Sequence, residues 1–267
     1  MTEGTRRRPP AVAGTFYPAD PDVLAAQVDH LMSTDMTGPT PKALIVPHAG
    51  YAYSGPVAGR GYATLGAGRD RVERVVLLGP AHRVPLLGLA TTSADEWVTP
   101  LGSVRIDAEA RRAVLALPSV EVDDRAHATE HSLEVHLPFL QRTLQPFSLL
   151  PLVVGHADAE MVATVLDTVW GGPETLIVVS TDLSHYHDHA TASVLDRRTA
   201  DAITAGDAEA IRPADACGAH PVRGLLVAAR RHGLRTRLID LRNSGDTAGP
   251  RDRVVGYGAF ALAEDAA

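Results

Sequence analysis

Three histidines follow strand-like apolar runs at short range, a spacing that could place them around one metal ion. His48, His82 and His185 each lie within five residues of the end of such a run. Imidazole binds divalent transition metals through a neutral ring nitrogen. If the three runs form parallel strands, their carboxyl ends share one edge of a sheet, which is where ligands of open α/β sheets bind. The spacing therefore favours a metal site, and the alternative is three unrelated loop histidines bonded to the backbone.

The single cysteine, Cys217, is a further candidate ligand. It precedes a predicted helix over 221–232, and a helix N-terminus lowers the pKa of a thiol because it stabilises the thiolate. A thiolate binds iron, copper or zinc strongly. The alternative interpretation is a buried structural cysteine. One cysteine cannot form an intrachain disulfide, so an oxidising compartment is not required.

Acidic residues accompany two of the candidate histidines. In the run over 130–136, His131 and Glu134 would share one face of a helix and could point at the site together. The run is not H-E-x-x-H, so its spacing excludes the metalloprotease arrangement, and a capped, salt-bridged helix start is the alternative. Asp182 precedes His185 and could orient an imidazole, as carboxylates do around metal-bound histidines.

The elements that must position these residues alternate between buried strands and amphipathic helices. Such alternation, with nearly continuous apolar strands, is typical of an α/β fold whose sheet is covered on both faces. We expect a single α/β domain over 10–262, with a central mostly parallel or mixed sheet between helical layers, and a flexible N-terminal tail over 1–9. Strands are predicted over 43–46, 74–78, 149–154, 175–180, 236–241 and 255–262, and helices over 21–32, 108–117, 130–145, 158–170, 190–206 and 221–232.

Composition narrows the classes of function. The chain has 267 residues, of which 45% are hydrophobic and 21% charged, and its formal net charge is −7. These values are ordinary for a globular domain, and the acidic balance argues against nucleic acid as a partner. The basic start is not followed by an apolar signal core, and no apolar stretch approaches the length of a membrane span. We therefore expect a soluble, cytoplasmic protein with no membrane partner.

Several motifs together resemble the Memo family, whose bacterial and archaeal members are called AmmeMemoRadiSam system protein B. They are AGTFYP over 13–18, PHAGYAYSG over 47–55, LGPAH over 78–82, EHSLEVHLPF over 130–139, STDLSH over 180–185, CGAHP over 217–221 and VGYGA over 255–259. The resemblance runs in order through nearly the whole chain. It implies a fold similar to the class III, LigB-like non-haem iron extradiol dioxygenases. It also suggests a functional link to radical-SAM and Ammecr-type proteins.

The same resemblance implies a set of site residues. The metal ligands of the family fall, by motif, on His48, His82 and Cys217. The histidine and aspartate of the family's pocket fall on His185 and Asp182, in catalytic positions.

A substrate-binding wall is expected beside these groups. The aromatic residues of the family's pocket fall on Tyr53 and, by position, on Phe16, where the family often has tryptophan. We expect Tyr53, Phe16 and His131 to contact a small-molecule or peptide ligand.

The ligand set predicts an open metal site. Two histidines and one thiolate leave coordination positions free, as in catalytic sites and unlike closed structural sites. They resemble the facial triad of iron oxygenases with thiolate in place of carboxylate, and this softer donor admits copper. We expect iron(II) or copper, with zinc as a further option, in a redox protein or dioxygenase-like oxidoreductase. A non-catalytic module that binds a peptide or small ligand, and a zinc hydrolase, are the alternatives.

Overall fold

A mixed β-sheet forms the centre of the protein in the computed structural model, which describes residues 4–33, 38–144 and 146–264. Its strands are β1 (Arg7–Arg8), β2 (Ala43–Val46), β3 (Arg74–Pro80), β4 (Leu89–Thr91), β5 (Glu96–Thr99), β6 (Gly102–Ile106), β7 (Val120–Val122), β8 (Ser148–Val154), β9 (Thr175–Ser180), β10 (His185–His187), β11 (Leu234–Asn243) and β12 (Val254–Glu264). Hydrogen-bonded neighbours follow the order β1-β5-β6-β8-β3-β9-β2-β12-β10, while β11 pairs with β12 and β4 pairs with β7 and β8.

The middle of the sheet is parallel, and an antiparallel pair joins it to further strands on each side, β6 with β5 and β2 with β12. Strands β6, β8, β3, β9 and β2 run in the same direction, whereas β12 is antiparallel to both β2 and β11. The expected α/β domain with a central mixed sheet is thus confirmed. The carboxyl ends of β2, β3 and β9 meet at one edge of the sheet.

Helices cover both faces of this sheet. They are α1 (Pro21–Leu31), α2 (Gly55–Ala63), α3 (Ala108–Val114), α4 (Asp124–Ala128), α5 (Leu137–Thr143), α6 (Ala159–Thr168), α7 (His189–Ala205) and α8 (Ala219–Arg231), with short 3-10 turns at Gly66–Arg71, Glu134–His136 and Ser244–Asp246. Aspartates start several of them, because a side-chain carboxylate accepts the free N–H groups of a first turn. Asp20, Asp107, Asp158 and Asp188 do so at α1, α3, α6 and α7. No helix in the described part of the chain is long and apolar enough to cross a membrane.

Each central strand sends alternate side chains into two separate hydrophobic cores. In β2, Leu44 and Val46 join the core that α1, α2 and α5 cover, whereas Ala43 and Ile45 join the core under α6, α7 and α8. Successive side chains of a strand point to opposite faces, so a strand that is covered on both sides must be apolar throughout. This requirement explains the continuous hydrophobic runs of the sequence.

The predicted helix over 130–145 is wrong in its first half. Residues 130–133 form a loop with a turn at 132–133, the 3-10 segment Glu134–His136 follows, and α5 begins only at Leu137. Pro138 lacks an N–H and fits only the first turn of a helix, so α5 starts next to it. The run that carries His131 is therefore a loop.

The predicted flexible tail over 1–9 is also too long. Arg7 and Arg8 form β1, which pairs in parallel with β5, and the Arg8 side chain is buried. Arg8 forms a buried ion pair with Glu134. The opposite charge of the carboxylate offsets the cost of removing the guanidinium from water. Residues 1–3 lie outside the described part of the chain.

Candidate metal centre

Three imidazoles converge beyond the carboxyl ends of the parallel strands. Strand β9 lies between β2 and β3, and parallel pairing on both sides aligns the loops that carry His48 and His82. The loop over 130–133 adds His131. One ring nitrogen from each of His48, His82 and His131 lies within 4.8 Å of the other two, so these three residues could hold a metal ion.

The spacing of the three rings fits a single tetrahedral ion. Metal–nitrogen bonds of about 2.0–2.1 Å at tetrahedral angles hold imidazole centroids about 5.2 Å apart. The centroid separations are 5.2 Å for His48 and His82, 5.4 Å for His48 and His131, and 4.9 Å for His82 and His131. The rings therefore already stand at the distances that shared coordination would require.

Ser180, the last residue of β9, fixes the protonation of the His48 ring. Its hydroxyl donates to the carbonyl oxygen of Ser132 at 2.6 Å, and it lies 2.5 Å from His48 Nδ1 and 2.9 Å from His136 Nε2. Because a hydroxyl has one proton, which Ser132 receives, both histidines must donate to Ser180. His48 therefore carries its hydrogen on Nδ1 and keeps a lone pair on Nε2.

Glu130 fixes the position of the ring hydrogen of His82 in the same way. Its carboxylate accepts from His82 Nδ1 at 2.9 Å and from the backbone N–H groups of His82, His131 and Ser132 at 2.7–3.0 Å. Burial raises the pKa of Glu130, but hydrogen bonds and charge from His82 and the backbone donors outweigh it and lower the pKa to about 2. The ionised carboxylate holds the Nδ1 hydrogen of His82, which leaves Nε2 available to a metal.

His131 belongs to the imidazole group, whereas the sequence predicted that it would contact the substrate. Its ring contacts Phe16 at a centroid distance of 4.7 Å. Burial lowers the pKa of His131 to about 4, so the ring is neutral at pH 7. Its Nδ1 is buried without a hydrogen-bond partner, although it lies 3.3 Å from Glu130 Oε1. A position predicted to bind substrate thus offers a third imidazole to a metal ion.

Cys217 lies next to one member of this group. Its Sγ lies 3.4 Å from His48 Nε2, close to the separation of about 3.6 Å expected for a sulfur and a nitrogen on one tetrahedral ion. The predicted lowering of its pKa is wrong. Burial, with the charge of Asp182 as a second cause, raises the pKa of the thiol to about 12. A bound cation reverses that preference, because it deprotonates a coordinating thiol.

Glycine at the next position allows the cysteine to approach β9. A Cβ at Gly218 would come within 2.6 Å of the Ser180 carbonyl oxygen and the Thr181 side chain. The Gly218 N–H also donates to Thr181 Oγ1 at 2.8 Å. These contacts fix the backbone that carries the Cys217 thiol.

Asp182 does not orient His185. Its buried carboxylate accepts from the backbone N–H of His48 at 2.8 Å and so holds the loop after β2. Burial is the largest influence on Asp182 and raises its pKa to about 7. The aspartate predicted to act on an imidazole therefore acts on the main chain of the ligand loop.

His185 is oriented by its own backbone. Its Nδ1 lies 2.8 Å from the carbonyl oxygen of Leu183, and a carbonyl only accepts, so Nδ1 carries the hydrogen. Burial lowers the pKa of His185, with His82 as a further cause. A neutral ring with a free Nε2 is the form that a general base requires.

The two predicted aromatic residues stand together beside Gly50. A Cβ placed on Gly50 would contact both the backbone of Phe16 and the ring of Tyr53. The Phe16 carbonyl also accepts a hydrogen bond from the Tyr51 N–H at 2.8 Å. Tyr53 is exposed, whereas Phe16 is half-buried. Phe16 is thus placed against His131, and Tyr53 faces solvent nearby.

Glu134 anchors the N-terminal segment and does not face the site with His131. It is fully buried and accepts from Arg8 Nη1 and the Tyr17 hydroxyl, both at 2.7 Å, and from the backbone N–H groups of Ala11 and Val12. The segment that carries Phe16 is thereby tied to the loop that carries His131.

Sequence reasoning missed the supporting roles of Ser180, Glu130 and Arg8. A serine that ends a strand and a glutamate before a histidine are ordinary features. An arginine close to the N-terminus is equally ordinary. The only available signal was that Ser180 and Glu130 lie inside the motifs STDLSH and EHSLEVHLPF.

Comparison with known proteins identifies the family. Among solved structures, a chain described as an uncharacterized protein JW3007 from Escherichia coli K12 matches 80% of this chain and 98% of its own, at 14% identity and a TM-score of 0.47, from which nothing about this chain follows. MEMO1 family proteins of Methanopyrus kandleri and Aeropyrum pernix are each 36% identical, over 95% and 94% of this chain and 98% of their own length. One of Aquifex aeolicus is 38% identical over 94% of this chain and 97% of its own. A family model described as Memo-like protein matches residues 8–261. The chain therefore belongs to the Memo family.

Proposed function

We propose that this protein binds iron(II) or copper through His48, His82 and Cys217 and uses the ion in redox chemistry. One observation carries the proposal: His48 Nε2 keeps its lone pair, because Ser180 occupies Nδ1, and it lies 3.4 Å from the Cys217 thiol. Two neutral imidazoles and one soft sulfur suit iron and copper better than calcium or magnesium. The ion, when bound, would supply Lewis-acid and electron-transfer chemistry.

The chain's own residues would bind and orient a small-molecule or peptide ligand at the open side of the site. Phe16 and Tyr53 supply aromatic surface. His185 Nε2, left free by the bond from Nδ1 to Leu183, would accept a proton from the ligand. A functional link to radical-SAM and Ammecr-type proteins belongs to the same proposal.

Zinc-dependent hydrolysis is the second candidate, favoured by one observation. The rings of His48, His82 and His131 stand at spacings that fit tetrahedral coordination, and three histidines with one open position form a common catalytic zinc site. In this arrangement His131 replaces Cys217 as the third ligand.

Metal binding by single variants distinguishes the two ligand sets. Protein is purified without oxygen and freed of metal, and its affinities for iron(II), copper(I) and zinc are measured by competition with a chelator. His48→Ala and His82→Ala should each weaken binding by more than about 100-fold, beyond the 10–100-fold typical of outer-shell changes. His30→Ala, an exposed histidine on α1, is the control and should bind like the wild type.

The third ligand has a spectroscopic signature. Cobalt(II) bound through Cys217 should show a thiolate-to-cobalt charge-transfer band that Cys217→Ala abolishes and His131→Ala retains. Voltammetry of the iron or copper form should then show a reversible couple. Absence of iron and copper binding would overturn the proposal. Zinc-restored ester or amide hydrolysis that requires His131, with no thiolate band, would establish the second candidate.

A further inference from the structure

A fourth strand of the parallel group also delivers a histidine to the same edge of the sheet. Strand β8 ends at Val154, and Gly155 and His156 follow it. The His156 ring meets His220, the second residue of α8, at a centroid distance of 5.3 Å and an interplanar angle of 76°. Neither ring belongs to the group formed by the three inner imidazoles.

Both rings can offer a lone pair to solvent. His220 Nδ1 lies 2.6 Å from the carbonyl oxygen of Ala157. That carbonyl only accepts, so His220 carries its hydrogen on Nδ1 and keeps Nε2 free. No hydrogen bond to the His156 ring occurs within the described ranges of the chain. His156 is exposed and His220 is half-buried, so an ion could reach them from water.

The backbone under both histidines is held in place. The His156 N–H donates to the Leu86 carbonyl at 2.8 Å, and its carbonyl accepts from Gly88 N–H at 3.0 Å. His220 belongs to α8, where Gly224 lies so close to Val162 of α6 that no Cβ would fit. Fixed backbones reduce the entropy that a ligand must remove when it binds.

The distance between the rings matches that required by a shared ion. Two imidazoles on one tetrahedral metal have centroids about 5.2 Å apart, given metal–nitrogen bonds of about 2.0–2.1 Å. We propose that His156 and His220 form a second, solvent-facing site for a tetrahedral divalent metal of the zinc class, with water completing its coordination. Two neutral ligands and water make this site weaker than the inner centre. The proposal does not depend on the function of that centre.

Zinc titration of the metal-free, full-length protein tests this site. Calorimetry should resolve two zinc ions in the wild type, of which the weaker disappears in His156→Ala and in His220→Ala. His156 is the primary variant because its exposed side chain can be removed without a cavity. In both variants the tighter ion should keep its affinity within about threefold. His30→Ala should still bind two ions.

Variants of the inner centre separate this inference from the proposed function. His48→Ala should lose the tighter ion and retain the weaker one. A wild type that binds one ion, lost in His48→Ala but not in His156→Ala, would overturn the outer site and leave the inner one intact. One ion lost in His156→Ala but not in His48→Ala would support the outer site and contradict zinc binding at the inner one. Two ions in the wild type and two in His156→Ala would also overturn the inference.

Discussion

Ser180 decides which nitrogen of His48 can reach a metal ion. Its single proton goes to the Ser132 carbonyl, so its lone pairs must receive hydrogens from His48 and His136. A serine at the end of a buried strand therefore sets the tautomer of a ligand one strand away. Such outer partners orient ligands and raise their basicity.

Ser180→Ala is expected to weaken metal binding by about 10–100-fold, because the His48 ring loses the partner that holds its Nδ1 hydrogen. It should also lower the free energy of unfolding by about 1–3 kcal/mol, because buried donors are left unpaired. Chelator competition measures the first effect and urea unfolding the second. Nitrogen-15 NMR of the metal-free variant should show mixed His48 tautomers.

Thr64→Ala provides a matched control for that experiment. Thr64 is also buried, and its hydroxyl donates only to the Gly61 carbonyl on α2. This variant should lose comparable stability while keeping wild-type metal affinity. Equal affinity losses in both variants would mean that Ser180 acts through general stability alone.

At the scale of elements, parallel pairing brings the ligands together. Strand β9 binds β2 on one side and β3 on the other, so loops far apart in sequence leave the sheet side by side. The sequence predicted this arrangement correctly, because apolar runs that are buried on both faces are recognisable without a structure. It could not predict the loop over 130–133, whose shape depends on the buried Glu130 carboxylate.

The short strand β1 is tied to that loop by a buried ion pair. Arg8 donates to Glu134 at 2.7 Å and to the carbonyls of His127 and Glu130, both at 2.8 Å. Arg8→Ala should lower the free energy of unfolding by about 3–5 kcal/mol, because it leaves a buried carboxylate without its cation. Urea unfolding measures the loss.

A surface ion pair supplies the comparison. Arg142 contacts Asp29 at 2.6 Å, but these side chains are 41% and 49% exposed to solvent. Arg142→Ala should cost less than about 1 kcal/mol, because water screens exposed pairs. Similar stability losses in the two variants would mean that the buried Arg8–Glu134 pair does not anchor the N-terminal segment.

At the scale of the whole molecule, buried neutral histidines couple stability to pH. Burial lowers the pKa of His127 to about 4 and that of His136 to about 3, whereas both titrate near 6.5 in the unfolded chain. The unfolded state therefore binds more protons between these values. Their contribution to stability is complete above pH 6.5 and is lost as the pH falls toward 4.

The metal-free protein should accordingly lose stability between pH 7 and pH 5. Each such histidine contributes up to about 1.4 kcal/mol per pH unit to the slope of the free energy of unfolding against pH. His127→Gln should reduce this slope by about the contribution of one histidine. Urea unfolding at several pH values measures the slopes. An unchanged slope in His127→Gln would contradict the assignment.

The sequence by itself determined the α/β class, the strand ends that carry His48, His82 and His185, and the family motifs. These features are local, because a buried strand and the turn after it are encoded in one short segment. Only the tertiary structure brought His131 into the imidazole group, placed Cys217 against His48, and turned Asp182 toward the main chain. It also decided the protonation of these groups, because tautomers and pKa values depend on burial and on partners supplied by distant segments.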